Sequence, residues 1–284
     1  MPHPLLDVDR IVQAPEAYLA SAGCVFAVFD HRTQDSGNVA YGVRIGDACY
    51  FVKTAGHPDD PLPRPGSPRH SDRVALLENA VRLSRNCPHP ALPHLHRVIE
   101  SPDGPMLVYD WADGELIRVD AQARNDPASS FQRFRALPVA EILRTLDTVY
   151  DLHSELAQAG WIAVDFYDGC LIYDFARRNL SVVDLDHYSA SPFTNRVGRM
   201  FGSSRFMAPE EFELGARIDG QTTVFTLGRT AVVLLSDGTL TRGPFRGSDA
   251  LYDAIHRACR EDRSQRFESV AAFYAAWRNA RSDG

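Results

Sequence analysis

Two aspartates define the chemistry that this chain could perform. Asp165 lies in Ala163-Val164-Asp165-Phe166-Tyr167-Asp168-Gly169-Cys170, and Asp184 in Val182-Val183-Asp184-Leu185-Asp186, 19 residues later. Between them, Leu171-Ile172-Tyr173-Asp174 and Leu180-Ser181-Val182-Val183 read as strands on either side of the polar turn Ala176-Arg177-Arg178-Asn179. Asp165 precedes the first strand and Asp184 follows the second, so a hairpin brings both acids to one end. One carboxylate can then act on a hydroxyl proton while the other holds a cation, the division of labour that phosphoryl transfer needs. Taken alone, the stretch reads more readily as two solvated turn acids, because aspartate is common in turns. The elements around it have to decide.

Length alone favours two lobes, since 284 residues can bury one large core or two small ones. A net charge of −7 argues against a nucleic-acid partner, although Arg196-Val197-Gly198-Arg199 keeps a local anion site open. Five scattered cysteines without CxxC spacing suggest neither a disulfide framework nor a zinc site, and a reducing cytoplasm fits them best. The start, Met1-Pro2-His3-Pro4-Leu5-Leu6-Asp7, has no basic segment followed by an apolar one. No apolar run reaches 18 residues, so neither export nor a membrane partner is expected.

The first hundred residues are β-rich. Cys24 to Phe29, Val39 to Ile45 and Ala48 to Lys53 form a meander, with Lys53 at its end. Gly56 to Asp72 carries five prolines and must be a loop. Ser71 or Asp72 can then N-cap a helix over Arg73 to Arg85, with Glu78 in its middle. Two further strands, His94 to Ile99 and Pro105 to Tyr109, precede a break at Asp110-Trp111-Ala112-Asp113-Gly114. This gives an α+β chain with a β-rich lobe over 1–109 holding one helix, a hinge over 110–114, and a mainly helical lobe over 115–284. In the second lobe, Val139 to Gln158 is a broadly apolar helix in which His153 reads as a satisfied core histidine. Further helices are expected near Glu211 to Leu214, Thr222 to Leu235, Asp249 to Glu261 and Ser269 to Arg281.

In order along the chain come a β-lobe lysine, a helix glutamate, a hinge, two loop acids and then Gly202-Ser203-Ser204-Arg205-Phe206-Met207-Ala208-Pro209-Glu210. This succession resembles the eukaryotic-type (Hanks-type) protein kinase family over nearly the whole chain, as a divergent serine/threonine member of bacterial kind. The resemblance implies a two-lobed kinase-like fold, ATP and Mg²⁺ (or Mn²⁺) as cofactors, and a protein substrate with a Ser or Thr hydroxyl. It implies that Lys53 neutralises the α- and β-phosphates with Glu78 as its partner, and that Gly37 and Val39 match the end of the phosphate-covering glycine loop. Asp110, Trp111 and Ala112 would offer backbone groups to adenine. Asp165 would serve the substrate hydroxyl, and Asp184 would bind the metal. Ser203 matches a threonine that contacts the catalytic aspartate, while Glu210 and Arg266 match a structural ion pair.

Departures from the family pattern are equally specific. Ala163-Val164-Asp165 stands for His-Arg-Asp, Asp184-Leu185-Asp186 for Asp-Phe-Gly, and Thr223 for the aspartate that braces the backbone where Ala163 and Val164 stand. Cys170 replaces the asparagine that holds a second metal, and a neutral thiol is a poor Mg²⁺ ligand; Asp168 or Asp186 would have to supply an oxygen. Three readings follow: a protein serine/threonine kinase, a pseudokinase acting as a binding scaffold, or a small-molecule kinase resembling aminoglycoside phosphotransferases. Gly202 to Glu210 and Arg266 speak against the third. The sequence leaves the substrate and the oligomeric state unspecified.

Overall fold

The computed structural model describes residues 2–33, 36–60 and 67–282, so part of the expected proline loop (61–66) and two residues of the turn before Ser36 lie outside the described residues. The chain is α+β and divides into two compact units, Met1–Ala112 and Asp113–Gly284.

The first unit is built on a five-stranded antiparallel sheet. Its strands are β1 (Cys24–Phe29), β2 (Val39–Ile45), β3 (Ala48–Thr54), β4 (Leu95–Ser101) and β5 (Gly104–Asp110), in the spatial order β1-β2-β3-β5-β4. Alternation along each strand separates two faces. One face buries Val43, Val52, Met106 and Val108 against Leu5, Ile11 and Leu19. The other buries Leu107 with Ala55 against Leu77 and Ala80 of α2 (His70–Asn86). Leu19 belongs to α1 (Pro15–Ala22), a second helix where one was expected. With only Pro15 and Leu19 buried in its eight residues, α1 is too short to display an amphipathic period. Helix α2 starts at His70, earlier than expected, because Asp72 in its first turn accepts the Arg69 N–H at 3.0 Å instead of acting as the N-cap.

In the second unit five helices, α3 (Ser130–Arg135), α4 (Val139–Gln158), α5 (Gly220–Leu235), α6 (Asp249–Ala258) and α7 (Val270–Ser282), surround the acidic hairpin. That hairpin is β7 (Leu171–Asp174) paired in register with β8 (Asn179–Val182), with β6 (Glu115–Leu116) added at the outer edge of β7. The two-residue strands β9 (Phe193–Thr194) and β10 (Arg217–Ile218) pair separately. Tyr150 of α4 packs edge-on against Phe273 and Trp277 of α7, and the Trp277 indole N–H donates to Asp147 at 2.6 Å. Among the described residues no helix is long and apolar enough to cross a membrane, and no disulfide joins the five cysteines.

The Ala208-Pro209-Glu210 stretch is anchored by a buried ion pair. Arg266 meets Glu210 through two parallel bonds of 2.7 and 2.9 Å, with both side chains almost wholly buried. Arg263 and the Thr222 hydroxyl reach the same carboxylate at 3.0 and 2.9 Å. Burial alone would push Glu210 up, yet the hydrogen bond and charge of Arg266 hold it below the usual glutamate value. The next residue behaves oppositely. Glu211 is buried with one carboxylate oxygen accepting the Ala208 N–H at 2.6 Å. Burial pushes it up to about 7 against that hydrogen bond, with the Glu210 and Asp165 charges adding to the rise.

Two outcomes follow for stability. Glu210→Ala strands the Arg266 guanidinium and should cost on the order of 3 kcal/mol in a denaturant melt, and a variant as stable as wild type would mean the pair holds nothing together. Because Glu211 is raised from 4.5 to about 7, the stability it contributes is complete below the unfolded value and is lost as pH rises through the folded one. Wild type should therefore weaken by on the order of 1–2 kcal/mol between pH 5 and pH 8, and Glu211→Gln should flatten that slope. Equal slopes for the two proteins would show that Glu211 ionises freely in the fold.

Candidate active site

The hairpin delivers both acids to one end, and a single buried side chain joins them there. Cys170 is fully buried in the 3₁₀ turn Asp168–Cys170, immediately before β7. Its Sγ lies 3.5 Å from the carbonyl oxygen of Asp165, to which the S–H donates, and 4.0 Å from that of Asp184. The Cys170 carbonyl accepts the Val183 N–H at 2.9 Å, which ties the same residue to the strand leading into Asp184. Burial, with the Asp184 and Asp165 charges adding to it, pushes the thiol well above its usual range. It is a neutral thiol that donates to one backbone carbonyl and lies against a second.

Asp165 and Asp184 also share a backbone conformation that aspartate seldom adopts. Their φ angles are 60° and 62°, in the left-handed region, where a Cβ crowds the following carbonyl. Each such residue costs about 1–3 kcal/mol and persists only where its surroundings over-determine it. Asp165 is half-buried and Asp184 is exposed at the hairpin end.

The surroundings of Asp165 show how the conformation is held. The Ala163 N–H donates to the buried Thr223 hydroxyl of α5 at 3.1 Å, so a neutral hydroxyl braces this backbone. His153 Nδ1 bonds the Val149 carbonyl at 2.7 Å, and Nε2 bonds the Tyr188 hydroxyl at 2.7 Å. The carbonyl takes the Nδ1 proton, and the buried ring packs 4.5 Å from Phe166 as a core histidine. Gly202, at φ +134°, passes so near Asp165 that a Cβ there would stand 3.5 Å from its Oδ1. The loop carrying Ser203 thus runs beside the Asp165 carboxylate.

Asp168 has a different occupation from the one anticipated. It is buried, and Arg205 holds both its carboxylate oxygens at 2.6 and 2.8 Å, so it serves the loop from 202 to 210 and is committed to a cation of the protein. Asp186 is also buried. Arg205 was visible in the sequence only as a neighbour of Ala208-Pro209-Glu210. Nothing in its spacing revealed Asp168 as its partner, 37 residues away.

In the first unit, Lys53 lies on β3 directly opposite Ala40 and Leu107, hence on the sheet face that α2 covers, and is 8% exposed. Helix α2 turns Arg73, Leu77, Ala80 and Leu83 inward and leaves Glu78 exposed. Arg73 is the basic residue that sequence reasoning missed. Almost wholly buried, it donates to the carbonyls of Ala55 at 2.6 Å and Pro68 at 3.0 Å and lies against Gly37, whose φ is +81°. Next to it, the Val39 carbonyl accepts the Thr54 hydroxyl at 2.8 Å. Of the three residues expected to face adenine, the Asp110 N–H already bonds the His94 carbonyl at 3.0 Å and the Trp111 N–H that of Cys49 at 3.3 Å. Ala112 follows at the end of the unit.

No protein-family model matches the chain. Curated relatives do. The chain is 27% identical over 184 residues to the calcium and calcium/calmodulin-dependent serine/threonine-protein kinase of Lilium longiflorum, a stretch covering 62% of this chain and 33% of that one. The protein of the same name from Lotus japonicus is 26% identical over 174 residues, and that from Pisum sativum 27% over 173, each covering 57% of this chain and 30% of the relative. The chain thus spans about a third of the length of the curated relatives it matches. Its similarity is to serine/threonine-protein kinases, at a distance and over part of the chain.

Proposed function

We propose that the protein is a phosphotransferase of the protein kinase type, which moves the terminal phosphoryl group of ATP to a Ser or Thr hydroxyl of a protein. The observation that carries this reading is the pair of left-handed aspartates joined through Cys170, one half-buried beside the loop carrying Ser203 and the other exposed at the hairpin end. Asp165 aligns the acceptor hydroxyl and takes its proton, beside the backbone of Gly202. Asp184, with Asp186 behind it, fits a hard Mg²⁺ or Mn²⁺ ion, and Cys170 does not. When bound, that ion neutralises charge on the phosphates.

The first unit would contribute nucleotide binding. Lys53, on a long flexible stem, suits the α- and β-phosphates, and the turn of Gly37 and Val39 their cover. Glu78 must turn in from its exposed face if it is to hold Lys53. With the Asp110 and Trp111 N–H groups occupied, Ala112 is the residue left to offer an N–H to adenine. The relatives' names add weight to serine and threonine as acceptors. Five cysteines without a disulfide suit a cytoplasmic setting.

The pseudokinase reading has one observation in its favour, the buried neutral thiol at the place of a second metal ligand. Purified protein incubated with radiolabelled ATP, Mg²⁺ or Mn²⁺ and a mixed-sequence Ser/Thr peptide pool separates the two. Wild type should transfer label, and Asp165→Asn should lower the rate about a hundredfold or more while keeping its folded circular-dichroism spectrum. Wild type that binds nucleotide yet transfers no label would establish the scaffold reading instead.

A further inference from the structure

Although the chain carries a net charge of −7, arginines lie close to the turn that carries Asp165. Arg118, exposed after β6, lies with its guanidinium 5.7 Å from the centre of the Tyr167 ring, two residues from Asp165. Its backbone N–H donates to the Asp168 carbonyl at 3.2 Å, which fixes its place on that turn. Arg124, half-buried, packs 5.9 Å from the Phe131 ring. Burial first, and then the Arg205 charge, push Arg124 below the usual guanidinium value, with Asp168 opposing and Arg118 adding to the fall. Arg118 and Arg205 meet the same turn, Arg118 through its N–H on the Asp168 carbonyl and Arg205 through the Asp168 carboxylate. That carboxylate, Asp168, is buried and taken by Arg205.

Two of these guanidinium groups have no direct ion-pair partner. Among the described residues neither Arg118 nor Arg124 has a carboxylate partner, and both remain charged at any physiological pH. Asp120 and Asp126 ride on the same segment, but the Asp126 carboxylate accepts the Ala128 N–H at 2.9 Å, and neither acid figures among the charges acting on Arg124. On the other side of Asp165 a further arginine adds to the field. Arg199 donates to the carbonyls of Met200 at 3.2 Å and Gly202 at 3.1 Å, and Gly202 is the residue that passes beside the Asp165 carboxylate. Arginines stacked on aromatic rings are held with little mobility, so binding an anion there costs little further ordering.

Resting on the phosphotransferase reading, we infer that the acceptor is a protein segment whose Ser or Thr is flanked by anionic side chains, and that Arg118 and Arg124 select it. The shared chemistry is a carboxylate or phosphate oxygen close to the acceptor, which a guanidinium meets with two donors. Basic segments are rejected by like charge, and the preference weakens with salt because the arginines are at the surface. A nucleic acid is disfavoured by the rest of the acidic chain.

Fluorescence anisotropy on the whole protein tests this without requiring turnover. The probes are four labelled peptides of one length with a central Ser, flanked by Glu, phosphoserine, Ala or Lys, and a single-stranded oligouridylate. Wild type should bind the Glu or phosphoserine peptide about tenfold more tightly than the Ala peptide and the Lys peptide least, with the gap closing in high salt. The arm that binds better says whether the anion is a carboxylate or a phosphate. Arg118→Gln with Arg124→Gln should collapse that ratio towards one, and Arg118→Glu with Arg124→Glu should shift the preference to the Lys peptide; circular dichroism checks that each is folded. Equal binding of all four peptides, preference for the Lys peptide by wild type, or oligouridylate displacing the Glu peptide at lower concentration would overturn the inference. Acidic peptides that bind through the two arginines but are never phosphorylated would leave the anion selectivity of Arg118 and Arg124 standing and remove the phosphotransferase reading, and with it the acceptor role.

Discussion

The rest of the second unit depends on keeping two aspartates in a backbone conformation that they would not choose. At φ angles of 60° and 62°, Asp165 and Asp184 together carry a cost of about 2–6 kcal/mol relative to relaxed backbone. The β7–β8 hairpin sets their separation, because Asp165 and Asp184 flank its open end. Cys170 then fixes their relative height by lying under both carbonyls. A thiol is a weak donor, so its hold comes as much from being fully buried at an unchanging place as from hydrogen-bond energy.

Neutral groups brace this site where charged ones were expected. Thr223 receives the Ala163 N–H, and the hydrogen-bonded His153–Tyr188 pair packs beside Phe166. Neutral bracing spares the fold the desolvation of extra buried charges so near Asp165. Charge is used where it can be matched with bidentate geometry, at Glu210 with Arg266 and at Asp168 with Arg205. Both pairs anchor the same loop, Glu210 at its end to the helical core and Arg205 near its middle to the turn of Cys170. The loop that passes Asp165 is thereby fixed to the element that positions Asp165.

What could be read from the sequence was what periodicity and turn chemistry encode. The hairpin around Ala176 to Asn179, the meander ending at Lys53 and the helices over Val139 to Gln158 and Thr222 to Leu235 all appear within a few residues of the expected bounds. Helix α1 and strands β6, β9 and β10 were not legible, since eight residues with two buried positions, or two residues of strand, carry no period. At the site, Thr223 was legible as a brace because the residue it replaces and the backbone it supports were both recognisable. Arg205, Arg73 and Arg118 were not: their partners are backbone carbonyls, a ring or a distant carboxylate, and such pairings leave no spacing in the chain. Glu78 marks the same limit, for its helix was clear while the face it presents was decided by packing at Leu77 and Arg73.

The central claim is that the hairpin end is a metal-nucleotide site organised by Asp184 over a Cys170 that is no ligand. Isothermal titration calorimetry of ATP into wild type, Asp184→Ala and Cys170→Asn, each with and without Mg²⁺, measures this most directly. Wild type should bind ATP more tightly with Mg²⁺ than without, Asp184→Ala should lose that dependence, and Cys170→Asn, which supplies an amide oxygen, should strengthen it. Mg²⁺ dependence that is unchanged in both variants would contradict the account.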